Sequence, residues 1–244
     1  MTKALYLDDS YLKECDATVE SVAAKEVVLD QTVFYPRGGG QPADTGKLIT
    51  PSGSEFRVLN VVKKEGKIMH ELDREPKPET GDSELAPGSR VRCIIDWERR
   101  YALMRMHTAA HVLAAVMHRE LGALISGNQL ETDKTRFDFT LADFDRGKFD
   151  EAVKKANDEL SRDVQLKTYA LPREEAMKIP GVVKLAGALP PAISELRIVE
   201  ICDVDVQADG GTHVRSLKEV GKIQILKLEN KGKENRRIYF TLTS

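Results

Sequence analysis

The run from Trp97 to Val116 contains neither Gly nor Pro, and the next glycine is Gly122. It is rich in Ala, Leu and Met, which favour helices, so one long helix is expected to start near Trp97 and stop at Gly122. That helix puts His107 and His111 on one face, a turn apart. Two imidazoles so spaced can converge on a single ion, as in helical zinc sites, although packing alone also produces such pairs. A third histidine, His213, follows Gly210-Gly211-Thr212, where two glycines let the backbone turn tightly and approach another element. His118 also returns to this face, but it lies roughly 10 Å along the axis from His111, too far for a shared coordination sphere, and reads as a surface residue.

The chain has 244 residues, 41% of them hydrophobic, which suits one large core or two modest ones. No apolar run is long enough to span a bilayer, and acidic Asp8 and Asp9 fall where a signal peptide would be apolar. A cytoplasmic location without a membrane partner is expected. Cys15, Cys93 and Cys202 lack paired spacing, so neither a disulfide framework nor a thiolate zinc knuckle is indicated, and each reads as a small buried hydrophobe. A formal net charge of -2 argues against wrapping long nucleic acid by bulk charge, while permitting a local basic patch.

Before Asp96 the pattern is one of short runs such as Glu26–Asp30, Arg57–Val62 and Arg90–Ile95, separated by turn residues, with a short helix between Tyr6 and Glu14. Residues 1–95 are therefore expected to form a small antiparallel β-barrel-like domain, with a loop from Arg74 to Asp82. His70 lies here with no partner visible. The stretch Gly38-Gly39-Gly40-Gln41 can approach a ligand closely, but its spacing favours a tight turn or bulge and matches no phosphate-binding fingerprint. Residues 96–244 read as α+β, with an antiparallel sheet and packed helices. The expected elements are a strand at Thr135–Thr140 and a helix from Asp143 to Arg162 that buries Phe149, Ala152, Val153, Ala156 and Leu160. A strand at Gln165–Leu171, a short helix at Pro172–Ala176, a loop around Pro190 and Pro191, a strand at Leu196–Val206 and a hairpin of Val220–Leu228 with Arg236–Leu242 complete the pattern.

His107-Thr108-Ala109-Ala110-His111, Gly210-Gly211-Thr212-His213, Leu171–Ala176 and Gly38–Gln41 together resemble the editing region of alanyl-tRNA synthetases. More closely, they resemble the medium-sized class of the free-standing alanyl-tRNA editing proteins, AlaX, and the resemblance keeps motif order over nearly the whole chain. It implies ATP-independent, zinc-dependent hydrolysis of tRNA(Ala) mischarged with serine, and by extension glycine, with residues 96–244 as the deacylase domain. A synthetase pocket built for a methyl group rejects an added hydroxyl poorly, so a second site that demands the hydroxyl removes the error.

The resemblance makes His107, His111 and His213 metal ligands and catalytic residues. Ser126, with Thr108 and Thr212 competing, becomes a candidate reader of the seryl hydroxyl, Ser126 and Thr212 being catalytic candidates as well; local backbone bonding is the bland alternative for all three. Gln207, Gly39, Gly40 and Gln41 are further candidate substrate contacts. In one departure from the family pattern, Asp209 stands where a cysteine ligand is usual. It either binds the ion directly, the preferred reading, or orients a histidine from behind, or marks a lost site. Cys202, seven positions upstream on an expected strand, could substitute in principle but reads as core. The ion itself could polarise the carbonyl, activate water or hold the substrate amino group. Candidate phosphate contacts are Arg90, Arg92, Arg99, Arg100 and Arg105 in one cluster and Lys227, Lys231, Lys233, Arg236 and Arg237 in another, diluted by Glu98, Glu229 and Glu234. Rival readings are a zinc peptidase, which would need Glu where Thr108 stands, a non-catalytic tRNA-binding protein, and an editor of threonyl-tRNA.

Overall fold

The computed structural model describes residues 1–76, 85–180, 182 and 194–243. Most of the expected 74–82 loop and the Pro190–Pro191 loop lie outside them. The chain divides into two compact units, Met1–Tyr101 and Ala102–Ser244.

In the first unit, β1 (Lys3–Ala4) leads into α1 (Leu5–Asp8), a single turn rather than the longer helix expected up to Glu14. The strands β2 (Glu14–Ala23) and β3 (Glu26–Leu29) follow, then β4 (Gln31–Thr32), which pairs parallel with β1. After them come β5 (Gly46–Ile49), β6 (Glu55–Lys64), β7 (Lys67–Leu72) and β8 (Arg90–Ile95). Six of these close an antiparallel barrel in the order β2-β3-β7-β6-β5-β8. Period-two alternation drives closure: Phe56, Val58 and Val61 of β6 and Val91, Cys93 and Ile95 of β8 are buried, with more exposed residues between them.

Two of the buried polar groups of this unit, His70 and Arg100, bear on the sequence reading. His70 has Thr32 Oγ1 2.8 Å from Nε2 and the Val27 carbonyl 3.1 Å from Nδ1, partners invisible in the sequence. The Val27 oxygen can only accept, so Nδ1 carries the proton and Nε2 accepts from Thr32. Burial pulls the imidazole down to about 4 against the opposing Val27 bond. Arg100 is the second: neither it nor its ion-pair partner Asp44 is exposed, and its guanidinium also donates to the carbonyls of Ser10 and Val33. This corrects its reading as a phosphate contact.

Cys15 and Cys93, distant in sequence, face each other across the β2–β8 pair as free thiols. Gly38 and Gln41 exchange backbone hydrogen bonds around Gly39 (φ 56°) and Gly40 (φ 86°), the positive-φ pair of a tight two-residue turn.

The second unit contains most of α2 (Trp97–Leu121), which is buried continuously from Met106 to Met117. Apart from its histidines and Thr108, that stretch is Ala, Val, Leu and Met, and a helix apolar all round belongs in a core. Next come β9 (Leu124–Leu130), β10 (Thr135–Thr140) and α3 (Arg146–Leu160). Asp145 caps α3 by accepting from the Lys148 N–H, and Phe149, Ala152, Ala156 and Leu160 are buried, while Val153 is only partly so. The remaining elements are β11 (Leu166–Pro172), α4 (Arg173–Ala176), β12 (Glu195–Ile201), β13 (Asp205–Ala208), β14 (Lys222–Asn230) and β15 (Asn235–Thr243).

These strands form two antiparallel sheets, β14-β15-β10-β9 and β11-β12-β13, so the unit is α+β. The strand expected to run unbroken from Leu196 to Val206 is instead a hairpin. Asp203 takes φ 60°, a left-handed conformation that Asp tolerates better than most residues, and reverses the chain between β12 and β13. Cys202 therefore sits exposed in a turn and is not core. Among the described residues, no helix is long and apolar enough to cross a membrane.

Candidate metal centre

Helix geometry brings His107 and His111 together, with ring centroids 5.0 Å apart. The β13 hairpin and the turn after it supply the other side. His213 stacks on His107 at 4.3 Å and meets His111 edge-on at 4.8 Å. One ligand atom each from His107, His111, Asp209 and His213 lies within 4.8 Å of the others, so the group could hold a metal ion. All three histidines are buried.

The turn that delivers Asp209 and His213 is held by several bonds. Arg197 of β12 donates to the carbonyls of Asp209 and Gly211, each at 3.0 Å. The Asp209 carboxylate accepts the Gly211 N–H at 2.9 Å and His213 Nε2 at 2.8 Å, and lies 3.8 Å from His107 Nε2. Gly211 is required by proximity, because a Cβ there would collide with the His107 ring, 2.5 Å from Nδ1 and nearer still to Cε1.

Electrostatics favour the neutral forms of His107 and His213. Burial pushes His107 well below its ordinary value and His213 to about 4, with the neighbouring histidines adding to the effect against the pull of Asp209. Burial works against the Asp209 charge, yet His107 and the His213 hydrogen bond outweigh it and hold the carboxyl well below the usual range. Three imidazoles and one carboxylate are a donor set that suits a zinc-like ion.

The other candidates are placed as follows. Thr108 is fully buried and engaged, its Oγ1 3.1 Å from His213 Nδ1 and 3.4 Å from the Val214 N–H. Thr212 is likewise buried. Ser126 is exposed on β9, at a bulge between the Ile125–Phe139 and Gly127–Asp138 pairs. Gln207 is buried on β13, and its Nε2 has no hydrogen-bond partner among the described residues. On a strand it shares a face with Asp205, whose carboxylate contacts His111, and Asp209 follows at the same period. Gly39 is exposed and Gln41 buried in the tight turn of the first unit, with Gly40 half-buried between them. His118 is exposed, its Nδ1 3.2 Å from the Ala123 carbonyl.

The basic clusters are largely committed to partners. Arg92 pairs with Glu14, Arg105 donates to the Val220 carbonyl, Lys227 and Lys231 share Glu229, and Arg237 pairs with Asp138. Arg236 is buried against loop carbonyls. Sequence reasoning missed Asp205 and Arg197. The spacing Asp205, Gln207, Asp209 along one strand face was the available signal for the first.

Comparison with known proteins agrees with the resemblance. Residues 4–99 match a family described as tRNA synthetases class II (A), and residues 196–239 match the threonyl and alanyl tRNA synthetase second additional domain. The alanyl-tRNA editing protein AlaX-M of Methanosarcina barkeri is 51% identical over 245 residues, spanning 99% of both chains. The AlaX-M of Saccharolobus solfataricus is 44% identical over 243 residues, again 99% of both. The alanine–tRNA ligase of Pyrococcus furiosus is 40% identical over 98% of this chain and 26% of its own length. Identity of this degree along the full length shows that the chain belongs to the AlaX-M family of alanyl-tRNA editing proteins.

Proposed function

We propose that this chain is a cytoplasmic hydrolase that removes serine, and less readily glycine, from mischarged tRNA(Ala) at a zinc site in the unit Ala102–Ser244. The observation that carries the reading is the convergence of His107, His111, Asp209 and His213 within 4.8 Å, in a chain whose relatives are named as alanyl-tRNA editing proteins. Zinc held by these four residues would supply Lewis acidity next to the scissile ester. Asp209 serves as a ligand in this reading, because its carboxylate already reaches two of the histidines.

The protein's own residues do the rest. His107 and His213 present neutral rings, since burial disfavours their charged forms. Thr108 orients His213, which leaves its hydroxyl committed and makes it a poor reader of substrate. The Gln207 amide is a buried donor in want of an acceptor, and an oxygen of the aminoacyl ester is the acceptor it suits. Ser126, on its exposed bulge, is retained as the reader of the seryl hydroxyl, with Thr212 as a secondary contact. Alanine would leave such groups unpaired and so be spared. The ester is intrinsically activated, and its hydrolysis needs no ATP.

Deacylation of tRNA(Ala) carrying serine, glycine or alanine, and of threonyl-tRNA, by zinc-loaded and chelator-treated protein tests the reading. Rapid release of serine, slower release of glycine, retention of alanine and loss of activity with chelator are expected. Undiminished serine release after complete metal removal would overturn the metal site. Binding of tRNA without turnover would leave a binding protein, and preferential release of threonine would move the activity to threonyl-tRNA.

A further inference from the structure

Asp205 contributes no atom to the ligand group, yet its side chain is wholly buried and Oδ2 stands 3.0 Å from Nδ1 of His111. We propose that Asp205 is the positioning residue of this centre: it fixes the His111 proton on Nδ1 and orients the ring, so that Nε2 carries the lone pair left for an ion. The geometry stands by itself, and its consequence for metal binding rests on the zinc reading above.

An ionised carboxylate can only accept a hydrogen bond, so Nδ1 of His111 must be the donor. The neutral ring then has a single tautomer. His213 is held differently, because a hydroxyl can donate or accept. The Asp209 carboxylate, 2.8 Å from Nε2, places the metal-free proton on that nitrogen, and the Thr108 hydroxyl, 3.1 Å from Nδ1, donates to the other. Were His213 to ligate an ion through Nε2, its proton would have to move to Nδ1, with the Thr108 hydroxyl turned to accept it. His111 needs no such exchange. Its orienting carboxylate is carried on β13, in register with Ile201 of β12, while Asp209 lies on the following turn. The centre therefore combines one ligand preset by a strand-borne carboxylate with one that adapts.

The test uses the full chain labelled with 15N in histidine, stripped of metal, with the His111 signals assigned by a His111→Gln variant. Two-bond 1H–15N spectra report which ring nitrogen is protonated. We expect His111 protonated on Nδ1 in the unmodified protein, and the Nε2–H form appearing in Asp205→Ala. Zinc affinity, measured by competition with a chromophoric chelator, should fall about 10- to 100-fold in that variant. Asp205→Asn keeps an accepting oxygen and should fall between the two, which keeps the test usable if the alanine variant folds poorly. A proton on Nε2 of His111 in the unmodified protein, or unchanged zinc affinity in a folded Asp205→Ala, overturns the proposal. If His111 is protonated on Nδ1 but the protein binds no zinc, the metal reading fails while the assignment of Asp205 stands.

Discussion

The His107 ring lies against the backbone of Gly211, with no room between them for a methyl group: a Cβ at residue 211 would stand 2.5 Å from Nδ1 and closer to Cε1. Both sides of this contact are rigid, since His107 is on a buried helix and Gly211 is bonded to Asp209 and Arg197. Gly211→Ala should therefore displace the ring or the turn, costing about 1–3 kcal/mol in stability and most of the zinc affinity. Thermal melts and chelator competition measure the two effects. An alanine variant that binds zinc normally would show that the turn is softer than its hydrogen bonds suggest.

The Asp209 carboxylate bridges toward two histidines, and this gives a prediction about ligand identity. Asp209→Ala should lose zinc and deacylase activity together. Asp209→Cys should keep both and bind zinc at least as tightly, because thiolate is a softer and well-suited zinc donor. Metal content after dialysis, read beside serine release, checks the series. An alanine variant with full metal content and activity would move Asp209 out of the ligand set.

Much of this centre was legible in the sequence, for identifiable reasons. The helix from Trp97 was readable because no breaker interrupts it, and its period alone paired His107 with His111. The barrel strands were readable because β8 alternates throughout and β6 does so up to its bulge after Val58. Cys202-Asp203-Val204 contains no Gly or Pro and continues an apolar alternation, so the reversal that makes the β12–β13 hairpin left no composition signal; it depends on Asp203 adopting a left-handed conformation. Arg100 was misread because charge ordinarily marks a surface, and its counter-charge Asp44 lies far away in the chain. Asp205 carries no motif beyond its two-residue spacing from Gln207 and Asp209, and only the folded contact shows that it backs His111.

The Arg100–Asp44 pair yields a stability prediction for the first unit. With both side chains fully buried and Arg100 also bonded to Ser10 and Val33, removing either partner strands a charge. Asp44→Ala should destabilise the protein by about 3–5 kcal/mol, measured by urea unfolding. Arg100→Met with Asp44→Leu should recover part of the loss, since an apolar replacement leaves no unpaired charge. A single variant as stable as the unmodified protein would contradict the burial assigned to the pair.

His70 sets a pH dependence whose sign follows from its environment. Its folded value is about 4, below the ordinary 6.5 or so expected when unfolded, so between these values the unfolded chain binds more protons. Stability is then fully present above about pH 6.5 and declines as pH falls toward 4, by about 3 kcal/mol from this residue. His213, also near 4 in metal-free protein, adds its own slope. The difference between the unmodified protein and His70→Gln across this range isolates the His70 share. Parallel urea-midpoint curves for the two would remove His70 as the cause.

Gln207 gives a prediction in which stability and activity move in opposite directions. Its Nε2 is buried without a partner among the described residues, which costs the folded state about 1–3 kcal/mol. Gln207→Leu, similar in bulk and without the amide, should therefore melt higher than the unmodified protein. If the amide serves the aminoacyl ester, the same change should slow serine release by about 10- to 1,000-fold, the range seen when an oxyanion donor is lost. Zinc content should stay the same, since the side chain is no ligand. Gln207→Glu separates the donor from mere shape: it keeps the length but offers an acceptor, and should be as slow as the leucine variant without its added stability. Leucine and glutamate variants that both release serine at the normal rate would reduce Gln207 to a packing residue and leave the recognition of the ester to Ser126 and Thr212.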